Sequence, residues 1–309
     1  MEKIKIHFCD FWREHTFEND FFVNLLKNKY EIVEDSKNPD FVLCSCFGKE
    51  YKKYSCPRIF YSGENLTPDF NVYDYAIGFD YLNFSNRYLR VPIYYFLSKL
   101  RHKPDVPKNP QNREFCSFLY SNGVYCDKIR IDFFKKLSKY KKINSSGSLL
   151  NNTGIKVKDK ISYLNNFKFT IAFENSSNEG YTTEKIYDAF ISRTVPVYWG
   201  DPLADVEFNP EAFIFVNKYK SLDEVVNKVI ELDNNDELYL KMLHAPKFLN
   251  EKINDEMIVA FFDNIFKNKG KIYRKDVNKG WCRGEFFTYS FLQRTYVKKI
   301  KEIISAFRF

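Results

Sequence analysis

Residues 169–200 read FTIAFENSSNEGYTTEKIYDAFISRTVPVYWG. Phe169 to Phe173 is a short apolar run that ends in Glu174 and Asn175; a polar loop follows, a helix opens near Thr182, and a second strand runs from Val195 to Trp199. Strand, helix and strand in this order predict a βαβ unit, and with it a parallel sheet. Ligands of open parallel sheets bind at the carboxyl ends of the strands, which is where Glu174 and Asn175 stand. The helix opening beside them offers an anion its unpaired N–H groups and the positive end of its dipole. Lys185 puts a full positive charge into the first turn, against that dipole. A phosphate shared by the lysine and the helix terminus gives the placement a reason. The alternative is that Glu184 and Lys185 are exposed first-turn charges and Glu174 a solvated loop acid.

The alternation extends both ways. Upstream, strand-like runs cover Lys3 to Cys9, Phe41 to Cys46, Arg58 to Ser62 and Tyr75 to Phe79, with a helix expected from about Thr16 to Lys27. Downstream of Asn112, strands are expected near Phe115 to Tyr120, Phe169 to Phe173, Val195 to Trp199 and Phe213 to Val216. Helices are expected from about Asp127 to Tyr140, Thr183 to Ile191, Leu222 to Leu232 and Ile253 to Phe266. Between the halves, KLRHKPDVPKNPQN (Lys99 to Asn112) carries Pro104, Pro107 and Pro110 and reads as a linker. The expected division is 1–105, 113–270 and a tail segment 271–309, two α/β halves in a chain of 309 residues. No internal repeat and no heptad run stands out.

Composition narrows the function. With 44% hydrophobic and 28% charged residues the chain is globular, neither disordered nor integral to a membrane. Aromatics reach 18%, led by 32 Phe and 22 Tyr against 3 Met, so aromatic rings are expected to fill the core. Lys+Arg 48 against Asp+Glu 40 leaves a net charge of +8, suited to phosphorylated ligands or an anionic surface. No nucleic acid is expected as a partner, because the basic residues outside the tail are dispersed. The 7 cysteines are odd in number, and they and the 4 histidines lack metal-ligand spacing, so the thiols read as reduced core residues and no metal is expected. Met1 to Cys9 lacks the apolar core of a signal peptide, and no later stretch is long enough to span a bilayer, which reads as a cytosolic chain.

At the carboxyl end, Tyr289, Leu292, Tyr296, Ile300, Ile303, Ile304 and Phe307 recur at helical spacing, with Arg294, Lys298, Lys299 and Lys301 on the rest of the wheel. This predicts a basic amphipathic helix, either packed on the domains or lying on an anionic membrane surface.

The segments FENS, GYTTEKI and VPVYWG, with FNPEAFI after them, resemble the nucleotide-binding core of the bacterial α-1,3/4-fucosyltransferases of glycosyltransferase family 10. RIFYSGENLTPDFNVYDYAIGFDYLNFSNRYLRVPIYY upstream is similar to that family's amino-terminal acceptor segment. The resemblance implies two facing Rossmann-like domains of the GT-B type, with acceptor binding in 1–105 and donor binding in 113–270. It implies an inverting transferase that moves L-fucose from GDP-β-L-fucose to a lactosamine-type glycan. The acceptor could be lipid-linked, with the tail holding the enzyme to the inner membrane face.

Carried over residue by residue, the family's general base falls on Glu64 in SGEN, its phosphate-contacting arginine on Arg130 in KIRIDFF, and its donor-binding residues on Asn175, Tyr181, Glu184 and Lys185. Glu174 is a further candidate contact to donor or acceptor. Relatives with GENESP have a second glutamate where this chain has Leu66, so Glu64 is the only acid in that turn. Inversion needs one base and charge neutralisation on the leaving diphosphate. Without a DxD sequence, a divalent ion is expected to be at most stimulatory, and no cofactor is required. Two other readings stay open: a transferase of the same build for another nucleotide sugar, and a glycan- or membrane-binding relative without catalysis.

Overall fold

Ile4 and Ile6 alternate with lysines along Lys3–Cys9 (β1), and both isoleucines are buried while Lys3 is exposed. The structure, a computed structural model, describes residues 1–98, 104–105, 107–121, 123–124, 126–249 and 253–275. After β1, Asp20 caps the helix Phe21–Leu26 (α1) by accepting the Val23 N–H at 3.0 Å. That cap starts the helix later than apolar spacing predicts, since the carboxylate satisfies an N–H that an earlier turn would otherwise need. The strands Glu31–Glu34 (β2), Phe41–Cys44 (β3), Arg58–Tyr61 (β4), Tyr75–Gly78 (β5) and Tyr88–Arg90 (β6) complete a 6-stranded sheet, all parallel, in the order β2-β1-β3-β4-β5-β6.

The second series is Ile93–Ser98 (α2), Glu114–Phe118 (β7), Ile129–Leu137 (α3), Ile143–Ser145 (β8), Lys160–Leu164 (α4), Phe167–Phe173 (β9), Glu184–Ile191 (α5), Val195–Trp199 (β10), Ile214–Phe215 (β11), Leu222–Asp233 (α6) and Asp236–His244 (α7). Its 5-stranded sheet is also parallel, in the order β11-β10-β9-β7-β8. The last described helix is Asp255–Lys267 (α8).

Counted within each series, both sheets run second, first, third, fourth, fifth, and the first adds a sixth strand. This is the flavodoxin-like doubly-wound order, a variant of the expected Rossmann-like sheet. The order reverses at β1/β3 in one sheet and at β7/β9 in the other. The topology thus repeats where the sequence shows no repeat.

Among the described residues two compact units result: Met1–Gly78 with Leu82–Arg90 and residues 254–275, and Phe79–Tyr81 with Val91–Ile253. The boundaries differ from the expected 1–105 and 113–270. The chain enters the second unit at Val91, ahead of the proline-rich stretch, because Tyr94 packs on Phe208 at 5.1 Å and donates its hydroxyl proton to Glu207 at 2.9 Å. The helix α8 belongs to the first unit, where Phe262 meets Phe22 at 5.4 Å, Phe266 meets Phe41 at 5.2 Å and Tyr30 donates to Asp263 at 2.6 Å. The first residues of the expected tail segment join it there: buried Asp74 accepts the N–H groups of Tyr273 and Arg274 at 2.6 and 2.9 Å and ion-pairs with the Arg274 guanidinium. The expected helix from Tyr289 to Phe307 lies outside the described residues.

Aromatic rings fill both cores, as composition implies. Phe118, Phe133, Phe169, Phe173 and Tyr239 are buried in the second unit, and Phe22, Phe41, Phe60 and Tyr75 in the first. The stacked Phe133–Phe173 pair, 5.1 Å between centroids, represents a contact that adds about 0.5–1.5 kcal/mol beyond area burial. Cys9, Cys44 and Cys116 are buried and Cys46, Cys56 and Cys126 half-buried, all as free thiols. Among the described residues, no helix is long and apolar enough to cross a membrane, and no cluster of three metal-ligating side chains occurs.

Candidate functional site

The strand β9 buries every residue from Phe167 to Phe173, as an interior strand of a parallel sheet must. Glu174 continues the ladder, donating its N–H to the Trp199 carbonyl at 2.8 Å, and its side chain turns to the start of α5. There its two carboxylate oxygens accept the Thr183 N–H at 2.8 Å and the Thr183 hydroxyl at 2.6 Å. Lys185 Nζ lies 2.9 Å from Glu174 Oε2. Glu174 is therefore no solvated loop acid: it is fully buried and occupies the helix terminus that the sequence assigns to a phosphate. Gly200 admits this packing, since a Cβ there would stand 2.4 Å from Glu174 Cγ.

Lys185 thus has an internal reason for its place in the first turn. It also meets Glu184 at 3.2 Å and donates to Thr183 Oγ1 at 2.8 Å. Burial opposes its charge, but Glu174 and Glu184 outweigh that and push its pKa up. The Glu174 carboxyl pKa is raised as well, by burial, even against the lowering effect of Lys185. Burial would also raise Glu184, yet Lys185 and Lys160 together hold it down at about 2. Lys160 enters from α4 and reaches fully buried Asp188, one turn after Glu184, at 2.7 Å.

On the other side of β9, Arg130 projects from α3 and is buried. One guanidinium nitrogen donates to the Phe173 carbonyl and to Asn175 Oδ1, both at 2.8 Å, and the group lies over the Tyr120 ring at 4.0 Å. Tyr120 is fixed in turn, its hydroxyl accepting the Phe173 N–H at 2.6 Å and donating to the Ile171 carbonyl at 2.8 Å. Arg130, Asn175, Glu184 and Lys185, with Tyr120 and Lys160, line one cavity of about 260 Å3. It opens at the β7/β9 reversal, the place where doubly-wound sheets bind ligands. Three cations, the Asn175 amide, the Tyr120 ring and one ionised carboxylate, Glu184, surround one hole, and the excess of positive charge can take up a diphosphate ester and orient it.

Tyr181 does not line this cavity. It is buried with its ring edge-on to Phe79, 5.1 Å between centroids. Its loop is shaped by Gly180, at φ 80°, where a Cβ would meet the Phe79 carbonyl oxygen at 2.4 Å. Asp201 holds the same loop, accepting from the Gly180 N–H at 2.9 Å and the Thr182 hydroxyl at 3.0 Å.

In the first unit, Glu64 follows β4 and is half-buried. Its N–H donates to Ser62 Oγ at 3.0 Å, and Ser62 contacts Cys46 Sγ at 3.2 Å. Burial pushes the Cys46 thiol up, and the Glu64 charge adds to the shift. Leu66, where some relatives carry glutamate, is buried in a cluster with Phe60, Val72 and Tyr73.

Lys160, Asp188, Tyr120 and Asp201 escaped the sequence reading. Lys160 stands in a polar stretch with no pattern of its own, and Asp188 looks like an ordinary helix-surface acid. Asp201, directly after the VPVYWG strand end, carried the one usable signal: an acid at a parallel strand's carboxyl terminus.

Two family models match. Residues 6–97 fit the α-(1,3)-fucosyltransferase FucT N-terminal domain, and residues 110–260 fit the glycosyltransferase family 10 (fucosyltransferase) C-terminal model. The α-(1,3)-fucosyltransferase FucT of Helicobacter pylori is 31% identical over 89% of this chain and 70% of its own length. Human 4-galactosyl-N-acetylglucosaminide 3-α-L-fucosyltransferase 9 is 32% identical over 52% of this chain and 44% of its own. A crystal structure of an α1,3-fucosyltransferase superposes with a TM-score of 0.80 at 30% identity, covering 89% of this chain and 92% of that one. Another, solved with GDP-fucose, gives 0.77 at 30% identity over 89% and 94%. With both halves matched in order and a relative of this length and identity, the chain belongs to glycosyltransferase family 10, the fucosyltransferases.

Proposed function

We propose that this fucosyltransferase is inverting and moves L-fucose from GDP-β-L-fucose to a GlcNAc or Glc hydroxyl of a lactosamine-type glycan, with α-1,3 linkage. The observation that carries the donor reading is the cavity at β7/β9, where Arg130, Asn175, Glu184 and Lys185 converge. Arg130 and Lys185 neutralise the diphosphate, and Glu184, held ionised, accepts hydrogen bonds from donor hydroxyls. Asn175 orients Arg130, and Glu174 positions Lys185 and the start of α5. Tyr181 acts from its buried place in the adjoining loop.

Glu64 is the general base in this reading. It takes the proton of the acceptor hydroxyl as that oxygen bonds to the anomeric carbon from the face opposite the leaving group. The bond to the β-phosphate oxygen breaks, and GDP leaves with the electron pair. No cofactor is required, and a divalent ion at most stimulates. The basic residues Arg294, Lys298, Lys299 and Lys301 place the enzyme on the anionic inner membrane face, beside lipid-linked acceptors.

The test is turnover of a panel of nucleotide sugars with lactosamine acceptors, read by mass spectrometry and linkage NMR, with and without EDTA. A single α-1,3-fucosylated product formed from GDP-fucose alone supports the reading. Turnover of another nucleotide sugar in preference to GDP-fucose overturns it.

A further inference from the structure

The two sheets share one strand order, so each has a reversal point, and each such point is a ligand crevice in doubly-wound proteins. In the second unit that point holds the cationic cavity. In the first unit it lies between β1 and β3, and aromatic side chains occupy the loops that leave it. Trp12, three residues past β1, is 41% exposed, and Phe47, three past β3, is 54% exposed. Exposed large rings on neighbouring loops are unlike the scattered apolar residues of an ordinary surface.

These loops are built and held. Asp10 turns the chain at the end of β1 with φ 63°, uncommon for a residue other than glycine. Its carboxylate accepts the N–H groups of Glu50 and Tyr51 at 2.8 and 3.0 Å, and its carbonyl accepts the Phe47 N–H at 2.9 Å, so Asp10 fastens the second loop to the first. Beneath Trp12, the His15 ring stacks on Phe11 at 4.1 Å and meets Trp12 edge-on at 5.2 Å. His15 Nε2 is pinned 3.0 Å from Asp20 Oδ2, both side chains nearly buried. Phe11 continues the aromatic contacts to Tyr61, 6.5 Å away, the last residue of β4 and three before Glu64.

We infer that Trp12 is the platform on which a pyranose ring of the acceptor glycan stacks, with Phe47 exposed on the adjoining loop, at the β1/β3 crevice. A neutral sugar offers no charge to bind. It offers the apolar face formed by its ring C–H groups and hydroxyls at its rim, which a rigid, exposed aromatic ring complements. The occupant named here rests on the fucosyltransferase reading above; the platform itself rests on the sheet order, the two exposed rings and their bracing.

The test compares the wild type with Trp12→Ala and Trp12→Phe. Saturation-transfer difference NMR with N-acetyllactosamine reads binding without turnover, and acceptor KM and donor hydrolysis without acceptor are measured alongside. Trp12→Ala is expected to lose transfer to the sugar ring protons and raise acceptor KM about tenfold or more, with GDP affinity and donor hydrolysis unchanged, and Trp12→Phe to restore most of the signal. Equal signals and acceptor KM in wild type and Trp12→Ala overturn the platform, as does a wild type that binds no oligosaccharide. Failure of the wild type to use GDP-fucose while it still binds the glycan through Trp12 overturns the donor reading instead and leaves the platform standing.

Discussion

Lys185 Nζ and Glu174 Oε2 stand 2.9 Å apart, Glu174 wholly buried and Lys185 with only 13% of its side chain exposed. A pair so placed has lost most of its hydration, and its value lies in each partner preventing an uncompensated charge on the other. The same carboxylate holds the first turn of α5, so the pair fixes both the direction of the lysine and the entry of the helix.

Glu174→Gln is therefore expected to do two things together. Removing one partner of a buried pair costs about 3–5 kcal/mol, so thermal unfolding moves down by several degrees. GDP affinity falls as well, because Lys185 is no longer aimed. Calorimetric titration with GDP and a melting curve decide it. Unchanged melting would mean that the pair contributes no net stability, its attraction only offsetting the cost of burying the two charges.

Arg130 is the residue least replaceable by another cation. One nitrogen bridges the Phe173 carbonyl and Asn175, while the flat group lies on Tyr120. A lysine keeps the charge but neither bridges nor stacks in that way. Arg130→Lys is expected to weaken GDP and GDP-fucose together by about tenfold to a hundredfold, the span of a lost charged hydrogen bond. Titration of both ligands checks it, and an effect on GDP-fucose alone would point away from the diphosphate.

Glu64 and Leu66 divide the roles of one turn. Glu64→Gln is expected to lower transfer by a factor of about 10² to 10⁴ at nearly unchanged GDP affinity, as for loss of a general base. Adding Leu66→Glu to that variant is expected not to restore activity. Leu66 is 7% exposed among Phe60, Val72 and Tyr73, so a carboxylate there is buried among apolar side chains and destabilises the unit. Single-turnover transfer rates measured beside GDP titrations separate the two effects.

How far the sequence reached depended on what each residue's role was written in. The strands β1 and β10 were legible to the residue, because alternation and β-branching mark them locally. The short strand β2, EIVE, was missed: one buried isoleucine among charged residues carries too little period, and its place comes from pairing with β1. The helix α8 is legible, but its unit is not, since Phe262 meeting Phe22 is a contact between residues far apart in sequence that no local pattern encodes. At the site, Glu184 and Lys185 stood out by position in a motif. Lys160 and Asp188 did not, because their meaning arises only when α4 and α5 come side by side.

That neighbourhood sets a pH dependence. Glu184 has its folded pKa depressed from 4.5 to about 2, with burial opposing and Lys185 and Lys160 causing the depression. A depressed carboxyl contributes stability that is complete above its unfolded value, here above pH 4.5, and is lost as pH falls toward 2. Removing Lys160 takes away one of the two cations, so the Glu184 pKa in the fold rises toward its ordinary value and less stabilisation remains to be lost. Lys160→Met is accordingly expected to move the acid limb of GDP-fucose binding to higher pH, while binding near neutral pH falls only modestly, because Glu184 is still ionised there. Lys160→Arg, which can keep both the charge and the reach to Asp188, is expected to return the limb to its wild-type position. Donor titrations from about pH 7 to pH 4 on the three proteins give the answer: the limb enters this range in Lys160→Met and stays below it in the wild type and in Lys160→Arg. A uniform loss of affinity at every pH in Lys160→Met, with no displacement of the acid limb, would mean that Lys160 braces α4 against α5 through Asp188 and does not set the charge of Glu184.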